Sequence, residues 1–294
     1  MTSLDVVRSA LAHTISDLEE FEAATRRGVA DALHQARTRV RAVRSILSVY
    51  ASVFDAGRLD ESARGLKKLG FVLGAARDAE VRLHALEELG DASPELRSAL
   101  AEPIASAQAR VRATRGRAVR YLDSAEHAAL AANLRRLAMH PDGGPDGGAP
   151  VVEVLARALV RASDRVTRAA KAATTEDLER LHSLRKAVRR LRYSAEAVAW
   201  AADEHAALRQ EAENAATMAQ TCQQLQDSLG DHRDRMLLAA ELRDWSSRAE
   251  HPSSMTLAAA ADRITREAER SLDELAPRLL LVHEAATRLD GSAP

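Results

Sequence analysis

The sequence predicts an all-α protein made of two similar helical bundles. Apolar residues recur at spacings of three and four along almost the whole chain, no stretch alternates as a strand does, and one basic segment occurs twice. Of the 294 residues, 46% are apolar but only 3% are aromatic. Ala, Leu and Val must therefore fill the core, as in bundles whose helices approach closely.

Five helices are predicted in the first half of the chain. The first spans about 4–27, where Leu4, Val7 and Leu11 begin an apolar stripe, and Gly28 is expected to interrupt it. Pro94 favours a helix start, because proline is tolerated in a first turn. The later helices of this half are predicted over about 29–54, 60–89, 94–122 and 125–139.

A stretch rich in glycine and proline, HPDGGPDGGAP at 140–150, separates a first bundle (1–139) from a second bundle (151–294). Its composition is that of a linker, and no Gly-Lys-Ser/Thr follows that would indicate a phosphate-binding loop. Its His140, Asp142 and Asp146 are only a weak metal-binding pattern. The second half repeats the order. A helix over about 151–173 is followed by a turn at 174–175, and the second basic helix runs from that turn to about 202. Two more helices are predicted over about 208–245 and 255–289, with a turn at 251–252 between them.

The repeated basic segment reads HQARTRVRAVRS at 34–45 and HSLRKAVRRLRY at 182–193. Because a helix turns about 100° per residue, one histidine and three arginines of each copy fall on a single stripe. A solvated face normally mixes charges of both signs, yet residues 34–50 contain four Arg and no acid. This pattern indicates that another molecule supplies the negative charge. The two stripes are His34, Arg37, Arg41 and Arg44, and His182, Arg185, Arg189 and Arg192.

A second element also occurs twice, as LGAARD at 73–78 and LGDHRD at 229–234. Glycine inside a helix costs about 1 kcal/mol relative to alanine. Gly74 and Gly230 therefore suggest the close approach of a ligand or of another backbone, with close helix packing as the plainer explanation. Asp78 and Asp234 occupy equivalent positions, where each is expected to brace an arginine of the basic stripes.

The overall charge excludes a general polycation, since 42 basic residues stand against 43 acidic ones and the net charge is -1. Any basic site must arise from segregation of charge. Cys222 is the only cysteine, which excludes a disulfide framework and a cysteine zinc site and favours a reducing compartment. Neither a signal peptide nor an apolar run of about 20 residues is recognisable. A soluble, cytoplasmic protein without membrane contact is expected.

These repeated features resemble those of the CHAD family, the conserved histidine α-helical domain. The resemblance covers nearly the whole chain and also includes the LKKLG run at 66–70. It implies one domain of two four-helix bundles, related by an approximate internal two-fold, with a basic channel between them. It further implies that the channel binds inorganic polyphosphate, which sulfate or phosphate would mimic, without a cofactor and without catalysis.

Carried over to this sequence, the resemblance implies ligands from both basic stripes and several further cations. The alignment of the fourth-helix arginines with the family pattern is less certain. In the last helix arginines alternate with acidic residues, so the resemblance does not decide whether that helix lines the channel. A nearby polyanion would favour charged histidines, so tighter binding at lower pH is expected. The implied ligands are His34, Arg37, Arg41, Arg44, Lys67, Lys68, Arg115, Arg117, Arg120, His182, Arg185, Lys186, Arg189 and Arg192.

Three alternatives remain open at this stage. His232, between Asp231 and Asp234, suggests a metal-dependent phosphoanhydride hydrolase, although His232 and Asp234 point about 200° apart on a helix. Nucleic acid is disfavoured as the main ligand by the near-neutral charge and the few aromatic residues. A helical scaffold would instead pair the basic stripes with acidic ones, such as that of the first helix. Storage, sensing and targeting to polyphosphate granules are not distinguished.

Overall fold

The computed structural model describes residues 2–139, 143–174, 177–203 and 208–291. Within these ranges the chain forms no β-strand, only two isolated bridges, and the predicted all-α class is confirmed. A 3-10 turn, Ala51–Val53, follows the second helix. The α-helices of the described residues are α1 (Ser3–Arg27), α2 (Ala32–Val49), α3 (Ala56–Gly90), α4 (Pro94–Ala99), α5 (Ala101–Leu122), α6 (Ala125–Met139), α7 (Val151–Ala172), α8 (Leu178–Asp203), α9 (Arg209–Arg248), α10 (Ser253–Arg270) and α11 (Leu275–Gly291).

Local signals explain several of the helix ends. Thr2 and Asp5 form a reciprocal capping box at the start of α1, and Gly28 ends that helix with φ 77°, in the left-handed region that glycine adopts without strain. Ser93 caps α4 by accepting a hydrogen bond from the backbone N–H of Leu96. The first helix therefore ends at Gly28, as the sequence predicts.

Two predicted helices are each divided in the structure. The helix expected over 94–122 breaks at Leu100 into α4 and α5, and the one expected over 255–289 breaks at residues 271–274 into α10 and α11. In both cases a proline, Pro103 or Pro277, is the third residue of the following helix. Proline has no N–H for the carbonyl four residues earlier and its ring collides with that carbonyl, so the preceding helix cannot continue.

The described part of the predicted linker, residues 143–150, is hydrogen-bonded to the first half. The N–H of Gly144 donates to the carbonyl of Val53 at 2.9 Å, and the N–H of Leu4 donates to the carbonyl of Gly147 at 3.1 Å. These bonds fix the segment against the start of α1 and the end of the 3-10 turn. His140 and Asp142, of the weak metal pattern, and Thr175, of the predicted turn, lie outside the described residues.

The two halves share their hydrophobic cores. The main core contains buried residues of α1, α2 and α3 together with those of α7, α8 and α9, for example Val43 and Val188. A smaller core joins Leu86 and Leu100 of the first half to Leu242 and Ile264 of the second. The division into two separate bundles stays a prediction. Packing of α2 against α8 brings the two basic helices together. None of the described helices is both long and apolar enough for a membrane span.

Candidate functional site

A groove of about 880 Å³ lies where α2 and α8 meet the N-terminal part of α3. We call it the basic groove, because among the described residues seven cationic side chains and one carboxylate, that of Asp60, line it. None of the seven forms an ion pair with a carboxylate of the described residues. The seven cations are Arg41 and Arg44 of α2, Arg64 and Lys67 of α3, and Lys186, Arg189 and Arg190 of α8.

The register of the helix packing places these cations at the edge of the core. Val40 and Val43 of α2 and Val188 and Leu191 of α8 are buried in the main core. Residues one position away along each helix lie about 100° around it, so the neighbouring arginines border the apolar interface. The helix-helix contact that buries the apolar stripes therefore also brings the arginine stripes of the two halves together.

Arg41 and Arg189 are cations in an unfavourable setting. Burial, together with the nearby Arg37 and Arg189, lowers the pKa of Arg41 to about 9. Burial, together with the nearby Arg185, lowers the pKa of Arg189 to about 10. Both groups remain protonated at neutral pH, but partial removal from water and like-charge repulsion oppose that state. An anion between the two helices would relieve both effects.

The repeated glycines make room for arginine side chains. A Cβ atom at Gly74 would lie 3.7 Å from Nε of Arg37, and one at Gly230 would lie 3.1 Å from Nη2 of Arg185. The group that approaches these positions is thus the side chain of the first arginine of each basic stripe, whereas the sequence suggested a ligand or another backbone. Any larger residue at 230 would displace the Arg185 guanidinium, because 3.1 Å is tighter than an ordinary van der Waals contact.

The two repeated aspartates behave differently. Asp78 accepts a hydrogen bond from Nη1 of Arg37 at 2.8 Å, the bracing contact that the repeat predicts. Asp234 instead contacts Nη1 of its neighbour Arg233 at 3.2 Å. Arg185 consequently has no ion pair with a described carboxylate, although Asp234 is close enough to counter part of the lowering of its pKa by burial.

The histidines of the stripes lie beside the groove and among cations. Burial has the largest effect on the pKa of His34 and lowers it. The nearby cations Arg77, Arg41 and Arg37 lower it further, while Asp31 raises it. Burial is also the largest of the effects that lower the pKa of His182. Four nearby cations lower it further: Lys186, Arg233, Arg185 and Arg189. Both rings are therefore neutral at pH 7 in the free protein.

Nine of the fourteen implied ligands do not line the basic groove. Four of them, His34, Arg37, His182 and Arg185, are the stripe residues described above, and the other five lie elsewhere. Nε of Arg192 contacts Oε1 of Glu196 at 2.7 Å, so a carboxylate already matches it. The amino group of Lys68 pairs with Glu126 and lies 5.6 Å from the ring centre of Tyr121. The guanidinium of Arg115 lies against Gly28 at the end of α1. The other two, exposed on α5, are Arg117 and Arg120.

Two groove residues, Arg64 and Arg190, are absent from the predicted set. Arg64 precedes Lys67 by three residues, and this spacing places both on one face of α3. The spacing would have been sufficient to predict Arg64. Arg190 directly follows Arg189 and lies off the stripe, so its position became evident only from the contact of α8 with α3 and α2.

His232 has a structural contact that the metal-site hypothesis did not anticipate. It is 3% exposed, and its Nδ1 lies 2.9 Å from the carbonyl oxygen of Ala268. Oδ2 of Asp231 lies 3.6 Å from Nη1 of Arg235, one turn further along α9. Among the side chains that the structure describes, no three of His, Cys, Asp or Glu lie close enough together to hold a metal ion.

Two solved structures have the same fold. PptA from Streptomyces chartreusis superposes with a TM-score of 0.69 at 17% identity, covering 97% of this chain and 99% of that chain. A crystal structure of the CHAD domain from the plant Ricinus communis superposes with a TM-score of 0.64 at 21% identity, covering 98% and 92%. At these identities the likeness concerns the fold alone.

Sequence comparison gives the family. The uncharacterized proteins MT2285 and Rv2226, from Mycobacterium tuberculosis strains CDC 1551 / Oshkosh and ATCC 25618 / H37Rv, are each 30% identical over 257 residues, covering 79% of this chain. The chain spans only 44% of the length of each relative. The model of the CHAD domain matches residues 9–243. Together with the paired basic helices, this match shows that the chain belongs to the CHAD family.

Proposed function

We propose that the protein binds inorganic polyphosphate in the basic groove and does not hydrolyse it. The observation that carries the proposal is the charge of the groove, where seven cations face one carboxylate and none is paired with a described acid. Unpaired arginines at the edge of a core are unfavourable in the free protein. A polyanion supplies the missing negative charge along the whole groove.

The chemistry of the ligand fits the spacing of the cations. Each internal phosphate of a linear polyphosphate carries roughly one negative charge, and the planar fork of arginine matches pairs of phosphate oxygens. Arg41 and Arg189 reach the groove from different halves, so one chain can contact both. Arg37 and Arg185 continue the two stripes beyond it and offer further contacts.

The direct test is a titration of long-chain polyphosphate into the protein, followed calorimetrically at fixed salt. We expect saturable binding, and competition by an equal phosphate concentration of duplex DNA should be weak, because the near-neutral net charge of -1 disfavours nucleic acid as the main ligand. Tighter binding of duplex DNA than of polyphosphate under the same conditions would reverse the choice of ligand.

Absence of hydrolysis is the second part of the proposal. Among the residues that the structure describes, the groove is lined by a single carboxylate, Asp60, and by no histidine, so these side chains do not form a paired general acid and base there. We expect no release of free phosphate when the protein is incubated with polyphosphate and Mg²⁺ or Mn²⁺. Sustained turnover that is proportional to protein concentration would contradict the proposal.

Affinity is expected to rise as the pH falls from 8 to 6. In the free protein the pKa values of His34 and His182 lie below 6.5, and a bound polyanion raises them, so binding takes up protons. An increase of up to about tenfold in affinity is expected, since the two rings become charged only in the complex. Calorimetry with long-chain polyphosphate at pH 6 and pH 8 measures it.

The matched control for this pH effect is the double variant His34→Gln and His182→Gln. It should bind with the same affinity at both pH values, because internal phosphates and arginines do not titrate in this range. Equal affinities of the unmodified protein at pH 6 and pH 8 would show that the histidines stay neutral in the complex.

We further propose that polyphosphate binding places the protein on cytoplasmic polyphosphate granules. The absence of a membrane span among the described helices is compatible with this location. A fluorescent fusion should coincide with stained granules and should become diffuse when Arg41 and Arg189 are replaced by glutamine. A fusion that remains on granules after this double replacement would contradict the proposed tether.

A further inference from the structure

Phe71 is an aromatic side chain on the outside of α3. It is 76% exposed, a larger fraction than for any other exposed large apolar side chain of the described residues. The two other phenylalanines differ, because Phe54 is buried and Phe21 packs against the main core. Among the described residues, none of the ring-ring or cation-π contacts involves Phe71. Single exposed apolar residues are common, so the position of this ring decides what it can do.

The register of α3 against α2 places Phe71 beside the arginine stripe of the first half. A Cβ atom at Gly70 would lie 3.6 Å from Nη1 of Arg44, and one at Gly74 would lie 3.7 Å from Nε of Arg37. These two guanidinium groups belong to the ends of the run of three arginines on α2. Phe71 lies between the two glycines in the chain, so it is level with the middle of that run.

Helical geometry also places Phe71 on the groove side of α3. Lys67 lines the basic groove, and residues four apart on a helix are neighbours, with Cβ atoms about 5–6 Å apart. Arg64, which precedes Phe71 by seven residues, lies on the same stripe and lines the groove as well. The row of Arg64, Lys67 and Phe71 therefore continues this wall by one turn. An aromatic ring stands there, where the preceding turns present cations.

The combination of unpaired cations and one aromatic face defines a class of ligand. An inorganic polyphosphate presents only phosphate oxygens and has no group that stacks on a ring. A nucleoside 5′-polyphosphate carries both parts, because its phosphates match arginine forks and its base stacks on an aromatic side chain. Single-stranded nucleic acid fits less well, since successive bases require several aromatic side chains and Phe71 offers one.

A membrane surface also fits Phe71 poorly. Insertion into an anionic membrane requires a continuous apolar helix face next to the cations. The residues one turn away from Phe71 are Lys67, Lys68, Gly74 and Ala75, and none of them is a large apolar residue. A single flat ring among cations is better suited to one base than to a lipid surface.

We propose that the basic groove also binds purine nucleoside 5′-polyphosphates, with the phosphates at Arg41, Lys67 and Arg189 and the base stacked on Phe71. The inference rests on the proposed phosphate-binding role of the groove and adds a second class of ligand to it. Purines are favoured because their two fused rings cover more of the phenyl ring than a pyrimidine does. Nucleotide and polyphosphate exclude each other, because both occupy the same arginines.

ATP and methyl triphosphate test the base contact, since both carry a triphosphate ester of the same charge and only ATP carries a base. In calorimetric titrations of the full chain, at fixed salt and without divalent cations, ATP should bind about tenfold more tightly, with UTP between the two. The adenine H2 and H8 resonances should move upfield on binding, because ring currents of Phe71 shield them. Equal affinities of ATP and methyl triphosphate would overturn the inference.

Long-chain polyphosphate separates this inference from the proposed function. If polyphosphate binds and ATP does not, the groove stands as a polyphosphate site and the nucleotide inference is wrong. If polyphosphate itself does not bind, the proposed function fails and the inference fails with it. Prior saturation with polyphosphate should prevent ATP binding, and simultaneous binding of both would contradict a shared groove.

Three variants locate the base. Phe71→Ala removes an exposed ring and should lower ATP affinity about tenfold, to that of methyl triphosphate, while methyl triphosphate binds as before. Phe71→Tyr keeps the ring and should retain ATP affinity within about twofold. The matched control is Met255→Ala on α10, where the side chain is 62% exposed and lines no part of the basic groove. It should change neither affinity. Unaltered ATP binding by Phe71→Ala, with helicity retained, would overturn the stacking contact.

Discussion

Replacing Arg41 and Arg189 together by glutamine is expected to weaken the binding of long-chain polyphosphate by about 10² to 10³-fold. Each guanidinium provides charge-assisted hydrogen bonds of about 1.5–3 kcal/mol in a partly desolvated groove. Glutamine keeps a polar side chain of similar reach but has no charge. Calorimetric titration at fixed pH and salt measures the loss.

The same double variant is expected to be more stable than the unmodified protein. A cation whose pKa is lowered on folding destabilises the fold wherever it is protonated, and below pH 9 both Arg41 and Arg189 are. Removing both charges should raise the free energy of unfolding by about 1 kcal/mol, measured by urea denaturation at pH 7. Lower stability would indicate that the arginines hold the fold together, as the scaffold alternative requires.

The matched control removes two charges elsewhere. Arg263 and Arg266 of α10 are exposed and line no part of the basic groove. Replacing both by glutamine changes the net charge by the same amount, and polyphosphate affinity should fall by less than about threefold, as expected for distant screened charges. An equal loss in both double variants would mean that the total charge, rather than the groove, determines binding.

Polyphosphate affinity is expected to fall about 10³-fold between 50 and 200 mM salt. Seven cations that displace condensed counterions should give a slope of log K against log salt concentration of about -5 to -6, by analogy with nucleic acids. Titrations at four or five salt concentrations measure the slope. A steep slope distinguishes a row of contacts from one or two ion pairs.

The two double variants make the salt experiment specific. Loss of Arg41 and Arg189 should make the slope shallower by about 2, since each phosphate contact contributes about 1. Loss of Arg263 and Arg266 should leave the slope unchanged. A slope near -1 for the unmodified protein would contradict the groove as the contact surface, regardless of the affinity.

Much of the fold was predictable because the relevant signals are local. Apolar spacing located the helices, and Gly28 ends α1 as expected. The breaks at Leu100 and before Leu275 were missed, although Pro103 and Pro277 carried the signal that a helix cannot extend backwards past a proline's first turn. The shared cores were not predictable from an internal repeat, which describes the similarity of two halves and not how they pack.

The candidate site was predicted in part. The spacing of the arginines placed Arg41 and Arg189 on stripes, and the structure brings both to one groove. Arg192 occupies the position equivalent to Arg44, yet Glu196 stands one turn after it where Ser48 follows Arg44. The sequence was sufficient to predict the pairing of Arg192 with Glu196, since residues four apart on a helix are neighbours. The pairing of Lys68 with a residue of α6 was not.

The sequence by itself determined the helices, the repeat and the two stripes of arginines, because helical geometry converts residue spacing directly into position on a face. Only the tertiary structure decided which cations remain unpaired, and that Asp78 pairs with an arginine of the basic stripes whereas Asp234 pairs with Arg233. Those outcomes depend on distances between side chains far apart in the chain. Packing of α2 on α8 and of α8 on α9 sets these distances.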